Sequence, residues 1–184
     1  KTEVILNGDE DVLDEIVTKV RDNKLIIKYD KPFNFFDKRK EIKVKISTPD
    51  VEEIDIAGSA QLLAKTPIKA EEIELDVTGS GQIYIKDLTT REIDSDITGS
   101  GSIELGGSAK VKEMEVEITG SGDFESDDLE VEYASIDISG SGDCRVFVTK
   151  KLKVDITGSG DAEYTGGALV DADISGSGKV RSFD

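Results

Sequence analysis

The chain has no histidine, a single cysteine and no long apolar run. Each absence removes a class of function. Without histidine the commonest general base and the commonest zinc ligand are gone, so most hydrolase triads and zinc sites are excluded by inventory. One thiol, Cys144, cannot close an internal disulfide and gives no redox address. No stretch of about 18 apolar residues occurs, so no segment reads as a membrane-spanning helix. The opening Lys1-Thr2-Glu3-Val4-Ile5 lacks the apolar stretch of a secretion signal, which leaves the compartment open. Cations are the minority: 23 Lys and Arg stand against 40 Asp and Glu, for a net charge of −17. That balance argues against nucleic-acid binding through phosphate neutralisation and against adsorption to anionic lipid.

What the chain does have is glycine in a fixed pattern. The series hydrophobic-acidic-hydrophobic-Thr/Ser-Gly-Ser-Gly occurs at 75–81, 95–101, 116–122, 136–142, 154–160 and 172–178, with a degenerate first copy at 54–60. The first glycines are Gly58, Gly79, Gly99, Gly120, Gly140, Gly158 and Gly176, at steps of 21, 20, 21, 20, 18 and 18 residues. Seven copies at a nearly fixed period indicate a repeat architecture.

Each copy alternates with period 2, as a strand does. One inward column holds Ile54, Leu75, Ser95, Val116, Ile136, Val154 and Ala172; the next holds Ile56, Val77, Ile97, Ile118, Ile138, Ile156 and Ile174. After the turn a third holds Leu62, Ile83, Ile103, Phe124, Cys144, Ala162 and Val180. The spacing predicts three short strands and three corners per coil. The expected fold is all-β: a single-stranded right-handed parallel β-helix, or solenoid, of about seven coils. The Gly-Ser-Gly corner keeps its length because two nearby positions need positive φ or close approach between coils. Length changes fall at 64–73, 85–92, 105–113 and 126–133, the less regular part of each coil.

Residues 1–50 lack the motif. Strands are expected at 4–6, 16–20, 25–29 and 42–46, with a helical turn at 9–13. This segment is expected to cap the open end of the solenoid and to be continuous with the repeats at 51–184 in one structural domain. From Lys28 to Lys45 there are seven basic and three acidic residues, whereas the rest of the chain carries −21. Phe33, Phe35 and Phe36 lie among those cations. They have two readings: a plug for the coil, or a contact site for a partner or a second copy of the chain.

The Gly-Ser-Gly steps are corners rather than phosphate loops, because no helix follows any of them. Asp123, Asp143 and Asp161 follow the turn in three copies, a weak likeness to the calcium-binding nonapeptide, which repeats every nine residues. The outward side of the strand before the turn is more informative. Asp55, Asp76, Asp96, Glu117, Asp137, Asp155 and Asp173 place an acid in every coil. Stacking like charges at sheet spacing is unfavourable, so water, hydrogen bonds from neighbouring Thr and Ser, or bound cations must offset it. A calcium-binding ladder is one reading; a solvated face that blocks sheet aggregation is the other. No other cofactor is implied. Cys144 falls in an inward column and reads as a buried small hydrophobe with no base to activate it. Carboxylate pairs leave a glycosidase open by inventory, but the acids form a ladder rather than one unique pair.

The repeated Asp-Ile-Thr-Gly-Ser-Gly, with Asn7-Gly8-Asp9-Glu10-Asp11-Val12-Leu13 ahead of the strand at Lys24-Leu25-Ile26-Ile27, resembles the putative auto-transporter adhesin, head GIN domain family. The resemblance covers essentially the whole chain and departs at Ala57, Ala60 and Ser95. It implies a right-handed parallel β-helix exported to the periplasm or outer surface of Gram-negative bacteria, with no enzymatic activity and no defined catalytic residues. The expected function is a non-catalytic envelope adhesin or scaffold facing an unidentified surface protein or glycan. The alternatives are a carbohydrate- or calcium-binding module and, behind them, a polysaccharide-degrading enzyme. A carbohydrate site would use exposed aromatic platforms, and in the coils Tyr84 is the aromatic placed outward.

Overall fold

The computed structural model describes residues 1–30 and 42–183. The chain forms two compact units, Lys1–Pro49 and Asp50–Asp184.

The first unit is built from local pairings. Glu3–Asn7 pairs antiparallel with Lys43–Ser47, and Ile16–Arg21 pairs antiparallel with Lys24–Tyr29. The second pair is a hairpin closed by Asp22 and Asn23, with φ of 49° and 64°. Such two-residue turns take positive φ at both positions, and Asp and Asn tolerate it. A single helical turn, Glu10–Leu13, follows the first strand. The expected elements at 4–6, 9–13, 16–20, 25–29 and 42–46 are therefore all present, each within a residue or two of its expected ends. Phe33, Phe35 and Phe36 lie outside the described residues.

The second unit is a parallel β-solenoid. Strands before the Gly-Ser-Gly corner stack in register from Glu53–Gly58 through Glu72–Gly79 and Glu92–Gly99. The stack continues through the ends of Lys110–Gly120, Asp123–Gly140 and Asp143–Gly158 to Leu169–Gly176. We call this the leading sheet. Strands after the corner form the trailing sheet, which begins with Gln61–Ala64, Gln82–Ile85 and Ser102–Leu105. It ends with Asp161–Thr165 and Lys179–Ser182. A short third side pairs Ile68–Lys69 with Leu88–Thr89. The sequence expectation was about seven coils. The seven rungs of the leading sheet bound about six complete turns, because the last rung has no described coil above it.

The inward columns form the core. Ile73, Leu75, Val77, Ile97, Val116, Ile118, Ile136, Ile138 and Val154 are essentially inaccessible to water. Burying each such side chain contributes roughly 1.5–3 kcal/mol. The last rung is the exception: Val170 and Ile174 are 38% and 39% exposed although they are in register with Leu152 and Ile156.

The corner explains its own sequence. Every first glycine has φ between 105° and 138°. A Cβ on Gly79 would also stand 2.6 Å from the Gly58 carbonyl oxygen. The second glycine fills the other expectation, close approach: a Cβ on Gly142 would lie 2.6 Å from Ile118 Cγ2 in the coil beneath. Between them the serine N–H donates to the first glycine of the preceding coil, as in Ser100 to Gly79 and Ser121 to Gly99, both at 2.8 Å. Gly58 has nothing within 4 Å of its would-be Cβ. The second position is tight because it faces the preceding rung, as Gly81 faces Ile56, and Ala60 belongs to the first rung of the stack.

Coil length is absorbed on the third side. Early coils break there into short strands, whereas the later chain runs as Asp123–Gly140 and Asp143–Gly158. Where a 20-residue coil meets an 18-residue coil, register shifts occur between Ser126 and Glu130 and between Val131 and Tyr133. Both fall inside the interval 126–133 assigned to length change.

Candidate functional site

Parallel pairing in register carries each outward side chain of the leading sheet directly over its equivalent. Asp55 meets Asp76, which meets Asp96, then Glu117, Asp137, Asp155 and Asp173. Two residues earlier Glu53, Glu74, Asp94, Glu115, Ser135, Lys153 and Asp171 form a parallel column. Two residues later lie Ala57, Thr78, Thr98, Thr119, Ser139, Thr157 and Ser175. The backbone thus brings the predicted ladder residues together as one acidic column flanked by a hydroxyl column, with strands about 4.8 Å apart.

The electrostatics differ along the ladder. Half-buried Asp76 is pushed up to about 6. Burial is the main cause, followed by a hydrogen bond shared with Asp55 and repulsion from Asp55, Glu74 and Asp96. Below about pH 6 a proton on Asp76 relieves the early end. Glu117 is also raised, chiefly by Asp96, then by burial, Asp137, Glu115 and Asp94. Farther along, Lys153 replaces an acid in the adjoining column and pairs with Asp155. A shallow groove at the early end is lined by Asp55, Asp76, Asp96, Thr78 and Thr98.

The carboxylates remain a ladder. Among the described residues no three acidic side chains converge as ligands to one metal ion. A flat sheet holds them side by side, whereas calcium takes six to eight oxygens around it.

Cys144 stands between Phe124 and Ala162 in the trailing sheet, fully inside. Burial pushes its thiol well above the ordinary range, and Asp143 adds to the shift. Ser95 is buried in the Leu75–Val116 column with its hydroxyl unbonded. Ser126, also buried, lies 3.8 Å from Met114 Sδ.

Sequence reasoning placed Tyr84 outward, and it lies half-buried on the outer face of the trailing sheet. It missed Tyr133, which is 43% exposed, with the Lys150 ammonium 5.3 Å from its ring centre. Residues 126–133 read as irregular, but the strand runs through them, and that continuity brings Tyr133 out beside Glu113 and Lys151.

The family model for the putative auto-transporter adhesin, head GIN domain, matches residues 1–168. No curated protein matches the chain. Among solved structures, a putative adhesin from Bacteroides fragilis is similar at 20% identity and TM-score 0.87, over 100% of this chain and 83% of the other. A putative adhesin from Parabacteroides distasonis is similar at 24% identity and TM-score 0.78, over 99% and 84%. A putative lipid binding protein from Parabacteroides distasonis is similar at 23% identity and TM-score 0.74, over 100% and 85%. At these identities the likeness concerns the fold.

Proposed function

Because the chain belongs to the putative auto-transporter adhesin, head GIN domain family, we propose that it is a non-catalytic contact domain of the bacterial envelope. The observation that carries this reading is the leading sheet. Seven rungs place an acid at the same outward position in strict register on a backbone fixed by inter-coil hydrogen bonds. Catalysis needs a few unlike groups converging on one reacting bond. A ladder of like groups presents the same contact many times, which suits adhesion or scaffolding to a repetitive surface. The location at the periplasm or outer surface is part of the same proposal and follows from the family.

Beads coated with the 184-residue chain should attach to bacterial or host cell surfaces saturably, and soluble chain should compete. Equal attachment of coated and bare beads would overturn the reading. So would sustained turnover in a screen of acidic polysaccharides, because it would make the ladder a substrate platform of an enzyme.

A further inference from the structure

We propose that the corner between the trailing sheet and the third side of the first two coils is a binding groove for a carboxylated sugar, with Tyr84 and Leu63 as the platform and Lys65 and Lys86 as the anion contacts. The proposal gives a ligand class to the surface-contact role above and rests on that role for its biological sense.

The groove follows from register. Leu63 pairs with Tyr84 on the outer face of the trailing sheet, so the two side chains lie one strand apart. Two residues on, at the corner, stand Lys65 and Lys86. In the next coil Gly106 takes the position equivalent to Lys86, one residue after Leu105, the partner of Ile85. A Cβ at Gly106 would meet the Lys86 carbonyl oxygen at 2.9 Å. Gly107 and Ser108 follow, so the groove itself is floored by small residues, with Asp128 and Leu129 of the next coil behind them. The groove is lined by these residues together with Asp87 and Pro67.

Its charge is the unusual feature. In a chain of net charge −17, most cations of the solenoid are matched to an acid. Arg91 pairs with Glu71, Lys110 with Glu130, Arg145 with Glu163, Lys150 with Glu132 and Arg181 with Asp161. Lys65 and Lys86, like Lys69, Lys151 and Lys179, carry no ion pair among the described residues, and these two stand exposed together at one groove. Leu63 is 53% exposed beside them. An aromatic face with an adjoining aliphatic side chain receives the C–H face of a pyranose. Two unmatched ammonium groups at its edge receive a carboxylate. Asp87 and Ser108 offer partners for ring hydroxyls. Next along the same column come Glu104 and Glu125, then Arg145 paired with Glu125 and Glu163. Glu104, directly beside Tyr84, repels an extended polyanion, so the groove suits one acidic residue or the end of a short chain.

The test titrates isotope-labelled chain with trigalacturonate and with its methyl ester, followed by NMR. The expected result is saturable perturbation of Leu63, Tyr84, Lys86 and Ser108, with Kd of about 1 mM that weakens as salt rises. The neutral ester should bind at least about tenfold more weakly. Tyr84→Ala and the double variant Lys65→Ala/Lys86→Ala should each lose at least about tenfold, with the β spectrum and melting temperature retained. Tyr133→Ala, on the other sheet, should bind as the parent does. No perturbation at 10-fold that concentration, equal binding of the ester, or perturbation elsewhere overturns the proposal. Bead attachment separates this from the reading it rests on. If the double-lysine variant attaches undiminished, the groove proposal falls and the adhesive reading stands. If trigalacturonate binds while coated beads attach no better than bare ones, the adhesive reading falls.

Discussion

The early and late coils of the solenoid use the same corner but solve its problems differently. The first three coils take 20 or 21 residues and break on the third side; the ladder acids lie on the leading sheet and Lys65 and Lys86 in the groove, while Arg91 and Lys110 pair with Glu71 and Glu130. The last two steps take 18 residues. The strand runs on through Asp123–Gly140 and Asp143–Gly158, where cations sit beside acids, as in Lys150–Glu132, Lys153–Asp155 and Arg145–Glu163, and it breaks again between Thr165 and Leu169. Where the strand runs on there is no loop on the third side, so cations stand on the sheet beside acids. Where it breaks, a corner is left, and in the first two coils that corner carries Lys65 and Lys86.

The sharpest break in the comparison lies at the corner glycines. Gly58 and Gly120 have φ of 105° and 122°, so alanine is strained at either. Only Gly120 sits on an earlier glycine, with its would-be Cβ against the Gly99 carbonyl. Gly58→Ala should therefore cost only the backbone strain, about 1–3 kcal/mol. Gly120→Ala adds an overlap that the stacked coils cannot relax, for a total of about 3 kcal/mol or more. Urea melts that gave the two variants equal losses would show that stacking contributes nothing at the corner.

A smaller effect separates the same coils inside the core. The column Leu75, Ser95, Val116, Ile136, Val154 has one polar member, in an early coil, with its hydroxyl unbonded. Ser95→Val should raise stability by about 1 kcal/mol, by removing the orphan and filling the column. The late-coil counterpart Val154→Ser should lose at least as much. A loss on Ser95→Val would mean that the column is already full at that rung.

Much of this was legible before the structure because solenoid stacking makes every period-2 column a physical column. The inward sets, the two roles of the corner glycines and the register of the acidic ladder follow from the repeat alone. The third side was not legible. It has no repeat to align, and bulges at 126–133 decide whether Tyr133 points into a corner or out of a strand. Nor could the sequence count turns from rungs, since seven motif copies bound six turns and leave Ile174 half uncovered. The upward shift of Asp76 depends on burial at one rung, and the motif is the same at all of them.

The acidic ladder gives the finest comparison, because the same substitution should act with opposite signs at its two ends. Asp76 titrates at about 6, above the ordinary aspartate value near 3.9. Between those values the folded chain holds a proton that the unfolded chain has released. Stability therefore falls as pH rises from about 4 to about 6, and the full penalty stands above about 6. Asp76→Asn removes that slope. It should stabilise the chain at pH 7.5 by about 1 kcal/mol, allowing for solvent screening of a half-exposed group, and leave it nearly unchanged at pH 4. At the late end Asp155 is partnered by Lys153, whose ammonium is raised by the hydrogen bond and charge of Asp155. That contribution is present at pH 7.5, well below the lysine range. Asp155→Asn should therefore destabilise, by less than Asp76→Asn stabilises, since the pair is exposed and added salt screens it. Thermal melts of both variants at pH 4 and 7.5 decide the matter. Two changes of the same sign at pH 7.5 would mean that the ladder is one uniform solvated face, and that the difference between early and late coils stops at the backbone.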